Sequence, residues 1–466
     1  MKSKTMTQPP AARRHSSFRG RIGIAREDIT PPIGIYSRNW GAAKHDSADS
    51  IHRQLTLSAL TIASASEDAP LVLIDADLGW WRELDLFSRF QERLLTEMSI
   101  ESSHLIFALS HTHASAPLMQ ADSALPGNEI LEAWIERIYQ ATVSAIGRAL
   151  AQADEAILDW HKGRCGLAAV RDLPDPNPSV NRMVCGFNPA VSADDTLMVG
   201  RITDLSGTTR ATLVNYACHP TTLAWENTTI SPDYIGAMRE TMEKETGATA
   251  FFLQGMSGDV APKHQYVGDV NVADRHGRQL GFAALATLND MEPAGNQLFF
   301  DRVVESGAPL AVWRHQPHEH SSDIRSVKTV VDLKIKNWPT ADELQQQESK
   351  CEDRALKERL RRKREIRRAL GDGSSFPLAV YAWRIGDAVL VGSGGEAYSR
   401  LQRELRVRFP SLTMICMNLI NGSVGYLPPA DLYDVDAYPV WQTPFDRGCL
   451  ERIGETMAGA IEELLD

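Results

Sequence analysis

The stretch that organises this chain is Leu105-Ile106-Phe107-Ala108-Leu109-Ser110-His111-Thr112-His113-Ala114-Ser115-Ala116-Pro117. Its first five residues form an apolar run typical of a buried strand. The small residues and the proline that follow indicate that the strand opens into a loop. Two histidines one residue apart point the same way if the strand stays extended. The stretch therefore places two imidazoles at the rim of a sheet, where open α/β proteins carry their chemistry.

Strands and helices alternate on both sides of this stretch. Apolar runs predict strands, helical spacing predicts helices, and the clearest segments are strands at 21–25, 71–74, 198–202, 211–217, 250–253 and 413–418 and helices at 82–98, 130–151, 272–288 and 449–464. The alternation predicts an α/β fold. No linker or internal repeat divides the chain, so we expect a single large domain with mixed β-sheets flanked by helices.

The composition limits the partners of the protein. The chain has 466 residues and a formal net charge of −11, which argues against nucleic acid as the main partner. Its six cysteines are scattered and form no Cys-x-x-Cys pair, so neither a disulfide framework nor a cysteine zinc site is indicated. A small-molecule substrate is the expected partner, and a homo-oligomer is left open.

Nothing in the sequence indicates a membrane or export segment. No apolar run reaches the roughly 18 residues of a membrane helix, and the polar N-terminus lacks the apolar core of a signal peptide. We expect a cytoplasmic protein with no transmembrane segment. Residues 1–18, which include Pro9-Pro10 and Arg13-Arg14, are predicted to be a disordered tail.

An isolated His-x-His is more often a hydrogen-bonded polar pair than a metal site, but two further segments share its layout. Cys218-His219-Pro220 also follows an apolar strand, and Gly394-Gly395-Glu396 follows another. Zinc favours a few histidine and carboxylate ligands on a rigid frame, so a second strand-end histidine favours a metal site. Glu396 is either a ligand or a charge at a helix N-terminus. The charged segment 343–370, with Arg361-Arg362-Lys363-Arg364 at its centre, is predicted to be a solvated helical face.

In their order along the chain, these motifs resemble those of the neutral (non-lysosomal) ceramidase family in its catalytic domain. The matching segments run from residue 20 to the end of the chain: Arg21-Ile22-Gly23-Ile24-Ala25 with Asp28-Ile29-Thr30, Ser110-His111-Thr112-His113, Asn181-Arg182 with Asn188-Pro189, Asn215-Tyr216-Ala217-Cys218-His219-Pro220, Gly258-Asp259-Val260-Ala261-Pro262, Gly395-Glu396, and Asn421-Gly422 with Gly425-Tyr426 and Tyr438. Each segment is weak alone, but seven in order make chance a poor explanation. The resemblance implies that residues 19–466 form a ceramidase-like catalytic domain.

The resemblance also implies a set of site residues. The family's zinc ligands correspond to His111, His219, Glu396 and Tyr426, with one Zn²⁺ per chain. Two imidazoles and a carboxylate are a common catalytic zinc set, whereas a tyrosine ligand is unusual. The family's other active-site members correspond to His113, Arg182 and Tyr438. His113 and Tyr438 suit an oxyanion or a leaving group, and Arg182 suits an oxyanion or a substrate carboxylate.

The loop 254–262 and the tryptophans supply the remaining candidates. Asp259 is taken as a catalytic candidate within the Gly258–Pro262 motif, and Ser257 and Trp225 as substrate-binding candidates. The chain has Ala261 where the family carries a serine credited with a direct part in amide cleavage. A serine-dependent mechanism therefore cannot operate at this position. We also expect the family's C-terminal immunoglobulin-like domain and secretion signal to be absent.

Three functions follow from this pattern. The leading hypothesis is a zinc-dependent hydrolase that uses metal-activated water to cleave an amide, ester or lactone of a soluble metabolite, with a C–N bond favoured. The second is a ceramidase or N-acyl amidase acting on a lipid amide. The third is a non-catalytic, metal-containing binding protein.

Overall fold

The computed structural model describes residues 12–64, 69–122 and 124–466. Its strands are β1 (Ala12–Arg13), β2 (Ser16–Asp28), β3 (Ser50–Ile51), β4 (Thr56–Ala63), β5 (Leu71–Ala76), β6 (Leu105–Leu109), β7 (Asp154–Arg164), β8 (Ala168–Val170), β9 (Asp172–Pro174), β10 (Met183–Cys185), β11 (Thr196–Asp204), β12 (Thr209–Tyr216), β13 (Thr229–Ile230), β14 (Thr249–Gln254), β15 (Val260–Pro262), β16 (Asn296–Glu305), β17 (Pro309–Pro317), β18 (Ile324–Lys334), β19 (Ser375–Ile385), β20 (Ala388–Ser393), β21 (Glu396–Ala397), β22 (Thr413–Met417) and β23 (Tyr426–Leu427). Its α-helices are α1 (Leu84–Met98), α2 (Leu131–Ala151), α3 (Tyr234–Thr246), α4 (Val270–Asn289), α5 (Ala341–Lys350), α6 (Arg354–Leu370), α7 (Ser399–Arg408), α8 (Tyr438–Gln442) and α9 (Cys449–Leu465).

Two sheets form the centre of the fold. The larger has eight strands in the order β14-β12-β11-β7-β2-β4-β5-β6, and the smaller has four in the order β18-β19-β20-β22. Both are mixed, since β5–β6, β12–β14 and β20–β22 are parallel while their other pairs are antiparallel. The predicted fold class, α/β with mixed sheets flanked by helices, is confirmed.

The alternation of side chains along the strands explains the layers. On β5, Val72 and Ile74 face a core shared with α1 and α2, while Leu71 and Leu73 face a core shared with the four-stranded sheet. Successive strand residues point to opposite faces, so one apolar run serves both cores. On the far side of the small sheet, α9 covers β18, β19 and β20. The order of layers is therefore helices, large sheet, small sheet, helix.

The large sheet curls until strands near its two edges meet. The Phe252 N–H of β14 donates to Asp75 Oδ2 of β5 at 2.9 Å. Arg239 of α3 donates to both Asp75 and Asp77, at 2.6–2.9 Å. Six inter-strand spacings separate β6 from β12 in the sheet order, which is roughly 29 Å in a flat sheet. The curl brings the loops after these two strands together.

The structure corrects two of the sequence expectations and adds one helix that they left out. The predicted tail lies in part outside the described residues, but its described part, residues 12–18, forms β1 and the start of β2, and Phe18 is fully buried between the sheets. The segment 343–370 is two helices, because Asp353 caps a new helix by accepting from the Leu356 N–H at 2.7 Å. The helix α3 was not predicted. No helix in the described ranges has the length and apolar content needed to cross a membrane.

Candidate metal centre and its pocket

His111 reaches the site through a sharp change of backbone direction. The strand β6 ends at Leu109, and His111 has φ 68°, in the left-handed region. The strand therefore does not stay extended through the two histidines, and the chain opens into a loop after Leu109, as the sequence indicated. Backbone and side chain are both fixed, because the His111 N–H donates to Leu78 O at 2.9 Å and its Nδ1 lies 3.0 Å from Gly79 O.

His219 is held in a matching way at the end of β12. Its N–H donates to Val260 O at 2.9 Å, and its Nδ1 lies 2.6 Å from Ser257 O. A carbonyl oxygen can only accept, so Nδ1 carries the proton and Nε2 presents a lone pair when the ring is neutral. Burial, aided by the charge of Arg171, lowers the pKa of His219 to about 3, which keeps the ring neutral.

Glu396 completes the arrangement from β21, which runs parallel to β23 and places Glu396 beside Tyr426. Its Oε2 lies 3.0 Å from His219 Nε2 and 3.4 Å from His111 Nε2. Burial alone would raise the pKa of the Glu396 carboxyl, but His111 and His219 hold it well below its usual range. A charged carboxylate therefore faces two imidazole nitrogens.

These three side chains fit a metal ion. His111 Nε2 and His219 Nε2 are 3.1 Å apart, so the three donor atoms form a triangle with sides of 3.0–3.4 Å. Ligands about 2.0–2.1 Å from a tetrahedral zinc lie about 3.3 Å from one another. With both Nδ1 protons committed to carbonyls, two lone pairs and a carboxylate converge, and a cation satisfies all three.

His113 lies close to the position that a cation would occupy between His111, His219 and Glu396. Its Nε2 is 3.4 Å from His111 Nε2, and the candidate ligand atoms of His111, His113 and His219 all lie within 4.8 Å of one another. The buried His113 Nδ1 has no hydrogen-bond partner among the described residues. Burial and the two neighbouring histidines hold the pKa of His113 well below its usual value. His113 can therefore serve as a ligand or as a group that exchanges a proton with a bound molecule.

Two tyrosines stand beside the histidines. The Tyr426 ring stacks 6.2 Å from the His219 ring, and the Tyr438 ring lies 5.6 Å from Tyr426. The Tyr426 hydroxyl accepts a hydrogen bond from Arg171 at 2.9 Å. Burial raises the pKa of Tyr426 well above its usual value, although Arg171 opposes the rise. Arg171 is thus in place to stabilise a tyrosinate ligand.

A pocket opens beside this cluster. Its wall combines candidate ligands, aromatic rings and charged side chains: Trp80, Trp81, Arg82, His111, His113, Arg362, Glu365, Ile366, Glu396, Ser423, Gly425, Tyr426, Tyr438 and Gln442. Trp80 lies 4.9 Å from the His113 ring and 5.8 Å from the His111 ring, between centroids. Trp80 therefore forms the part of the pocket wall next to both histidines.

The remaining predicted site residues lie away from the pocket wall. Arg182 has a half-exposed side chain that donates to Asp175 at 2.6 and 2.8 Å. Trp225 packs on Trp40, which in turn lies 5.3 Å from His113, so Trp225 is one ring removed from the cluster. Among the residues that the structure describes, neither lines the pocket.

The loop between β14 and β15 supports the site from beneath. Ser257 contributes its carbonyl to His219, while its hydroxyl accepts from Gln254 at 2.6 Å. Asp259 accepts from the N–H and the hydroxyl of Ser399 at 2.6 and 2.8 Å, which fixes the chain just after Glu396. Ala261 is buried in the β15–β8 pair. This geometry indicates positioning, not contact with a substrate, for Ser257 and Asp259.

Helix α6 contradicts the prediction of a solvated charged face. Glu358, Arg361 and Glu365 are each less than 10% exposed, and Arg362 lies in the pocket wall with its ion-pair partner Glu358 3.1 Å away. These four positions have i, i+3, i+4 and i+7 spacing, which places them on one helix face. The mixed signs suggested a solvated surface, but the spacing of alternating charges on one face was a signal of internal pairing.

Sequence reasoning also missed Arg171. It follows β8 directly and is buried, and one of its Nη2 hydrogen bonds goes to Gly258 O at 2.8 Å. A single arginine before a polar loop carries no distinctive local pattern. Its role depends on the pairing of β8 with β15, which the sequence does not reveal.

Comparison with known proteins supports the fold. No protein-family model matches the chain, and no curated protein matches it in sequence. The structure titled "Ceramidase complexed with C2" matches with a TM-score of 0.66 at 15% identity, covering 96% of this chain and 76% of that one. The crystal structure of neutral ceramidase from Pseudomonas aeruginosa matches with a TM-score of 0.66 at 16% identity, covering 96% and 75%.

These matches define the class of the fold. The chain has the fold of a neutral ceramidase-like catalytic domain, as the sequence predicted. At 15–16% identity the likeness concerns the fold alone, so the chemistry of this chain has to be argued from its own side chains.

Proposed function

We propose that this protein is a zinc-dependent hydrolase that cleaves an amide bond of a small, non-lipid substrate. One observation carries the proposal: two imidazole lone pairs and a carboxylate converge at 3.0–3.4 Å, and His111 and Glu396 among them line a pocket. Buried lone pairs of this kind are costly unless a cation satisfies them. The ceramidase fold supports an amide as the bond to be cleaved.

His111, His219 and Glu396 would hold the metal, with Tyr426 or His113 as a further ligand. When bound, zinc supplies a Lewis acid that polarises a carbonyl and lowers the pKa of water. Ala261 offers no nucleophile at the position where the family has serine. We therefore take water as the nucleophile.

The chain's own groups supply the remaining steps. The Tyr438 phenol lines the pocket and can donate a hydrogen bond to an oxyanion that develops on the carbonyl. His113 presents a buried Nδ1 that has no partner among the described residues. Burial and the two neighbouring histidines hold the pKa of His113 well below its usual value. The neutral ring can therefore accept a hydrogen bond from the attacking water, whose proton passes on to the leaving amine.

The pocket wall argues against a lipid amide. Arg82, Arg362 and Glu365 line it together with the tryptophans. A wall of charged and polar groups offers hydrogen bonds to a polar substrate and little continuous apolar surface to a long acyl chain. We therefore favour a small polar substrate.

The test combines metal analysis with a hydrolysis screen. We expect about one zinc per chain, and turnover of an amide that is lost on chelation and restored by zinc. Esters and lactones in the same screen show whether the enzyme cleaves C–O bonds instead of amide C–N bonds. Ceramides test the alternative of a lipid amide. Stoichiometric zinc without turnover would favour a binding protein, and full turnover in metal-free protein would rule out the metal mechanism.

A further inference from the structure

A group of buried arginines and glutamates borders the pocket on the side of helix α6. We name it the arginine cluster, and its members are Arg82, Glu358, Arg361, Arg362 and Glu365. Glu358 lies 3.1 Å from Arg362 and 3.8 Å from Arg82. Arg361 lies 3.0 Å from Glu365. All five contribute to one connected set of ion pairs beside the metal-binding residues.

The charges of the arginine cluster do not balance. Three guanidinium groups face two carboxylates, and within the described ranges no other acidic side chain lies within 4.0 Å of these arginines. The surplus positive charge stands out in a chain whose formal net charge is −11. Uncompensated buried charge is costly, so one further anion would stabilise the cluster.

The surplus charge is directed to the pocket. Arg82 and Arg362 both line it, and their guanidinium carbons lie 5.6 and 5.3 Å from the Trp80 ring centroid. The same ring contacts His111 and His113 on the metal side. A single tryptophan therefore separates the arginines from the candidate metal ligands.

Arg362 retains hydrogen-bonding capacity for a ligand. A guanidinium has five N–H donors. In Arg362 they serve Glu358, the Asn39 carbonyl and Tyr438, which leaves donors for a planar anion. Because the surplus is a single charge, a monoanion such as a carboxylate matches it better than a dianionic phosphate.

We infer that the substrate carries a carboxylate, which Arg362 binds beside Trp80 while the scissile amide lies at His111, His219 and Glu396. This inference rests on the proposed hydrolase function and adds the substrate class. It also transfers to Arg362 the carboxylate-binding role that the sequence suggested for Arg182, whose side chain is committed to Asp175.

Hydroxamates test the inference without knowledge of the substrate, because the hydroxamate group binds zinc directly. The probes are the monohydroxamates of malonate, succinate and glutarate, each paired with a neutral analogue in which the carboxylate is replaced by a primary amide. Calorimetry on the zinc-loaded protein measures each dissociation constant. We expect the carboxylate form to bind at least about tenfold more tightly at one or more chain lengths, since a charge-assisted hydrogen bond replaces a neutral one.

Variants locate the effect. Arg362→Gln should abolish the preference for the carboxylate, whereas Arg368→Gln, an exposed arginine on the same helix, should retain it. If Arg362→Gln does not fold, the comparison of charged and neutral probes on the unaltered protein still decides the question. Equal or tighter binding of the neutral probes at every length would overturn the inference.

Failure of the two proposals can be told apart. Zinc-loaded protein that binds both probe types equally keeps the metal site and loses the carboxylate pocket. Protein that takes up no stoichiometric zinc and binds neither probe type loses the proposed hydrolase function, and this inference with it.

Discussion

Two buried polar clusters stand at strand ends of this fold, and they differ in whether their acceptor atoms have donors. In the first, Arg239 donates to Asp75 and Asp77 through four hydrogen bonds of 2.6–2.9 Å. Asp77 also accepts from the Thr56 N–H and hydroxyl at 3.0 Å. Every carboxylate of this cluster has donors, so it joins β5 to α3 and needs no ligand.

In the second cluster, His111, His219 and Glu396 bring acceptor atoms to within 3.4 Å of one another. The donors of both imidazoles point outward, to Gly79 and Ser257 carbonyls. The comparison teaches that burial of charge at a strand end does not itself mark a functional site. A functional site is indicated where the buried groups lack a partner that only a ligand can supply.

The largest expected effect comes from removing a candidate ligand. His219→Ala should lose bound zinc and reduce turnover by about 1,000-fold or more, because the metal's electrostatic contribution is lost. Metal analysis and a turnover assay measure both. His264→Gln, at an exposed histidine, should change neither.

The unfolding temperature of His219→Ala further tests the difference between the two clusters. Without metal, His219→Ala removes one of the converging acceptors, but it also leaves the Ser257 carbonyl without its donor and opens a small cavity. The metal-free variant should therefore unfold only a few degrees below the metal-free parent. A drop in the unfolding temperature of the metal-free protein by many degrees would mean that these histidines stabilise the fold in the manner of the first cluster.

A substitution in the first cluster, that of Arg239 with Asp75 and Asp77, should lower the stability of the fold and leave zinc binding unchanged. Arg239→Met leaves two buried carboxylates without their cation, which costs about 3–5 kcal/mol of unfolding free energy. Arg93→Met provides the control, since its ion pair with Glu136 is half exposed and such pairs contribute about 1 kcal/mol or less. Denaturant titration measures both. Loss of zinc from folded Arg239→Met would contradict the assignment of a purely structural role.

A third buried histidine extends the comparison to pH. His15 Nε2 accepts from the Glu292 N–H at 2.9 Å, so the neutral ring is the form that the fold holds. Burial, followed by the charge of His161, lowers the pKa of His15 from 6.5 to about 4. Since the unfolded chain binds the proton first, this contribution to stability is full above pH 6.5 and is lost as the pH falls toward 4, by about 3 kcal/mol.

His15→Gln, which keeps a side-chain acceptor, should flatten that part of the stability profile, and denaturant titrations between pH 7 and pH 4 measure the change. An exposed control, His264→Gln, should keep the profile of the parent. An unchanged profile in His15→Gln would show that other groups dominate the acid sensitivity.

The sequence predicted local features of the fold and left out what depends on long-range geometry. Apolar runs such as 71–74 and 105–109 identified strands, because burial of a run is a local property. The order of strands and the curl of the large sheet are not local. They bring His111 and His219 from strands about 29 Å apart in a flat sheet to an Nε2–Nε2 distance of 3.1 Å.

The candidate site shows the same division. His111, His219 and Glu396 each follow an apolar strand and lie near a proline or glycine that ends it. This pattern can be recognised in the sequence. Arg362 lies on a helix whose mixed charges predicted a solvent-exposed face. Its place in the pocket depends on how α6 packs against the rest of the fold. Arg182 lies next to a family motif, yet the structure pairs its side chain with Asp175, because side-chain pairing is settled by neighbours in space.

The smallest expected effect tests how closely the backbone supports the second cluster. The Gly258 N–H donates to Ala397 O at 2.9 Å, and a Cβ added at Gly258 would lie 2.6 Å from the carbonyl oxygen of Glu396. Gly258→Ala must therefore push the Glu396 backbone away from the histidines. Changes that displace a ligand without removing it cost about 10- to 100-fold in metal affinity, and we expect a loss of that size in a zinc titration. Gly166→Ala, where a Cβ meets no atom within 4 Å, should bind zinc as the parent does. Equal affinity in both variants would show that Glu396 does not depend on this contact, and would weaken its assignment as a rigidly held ligand.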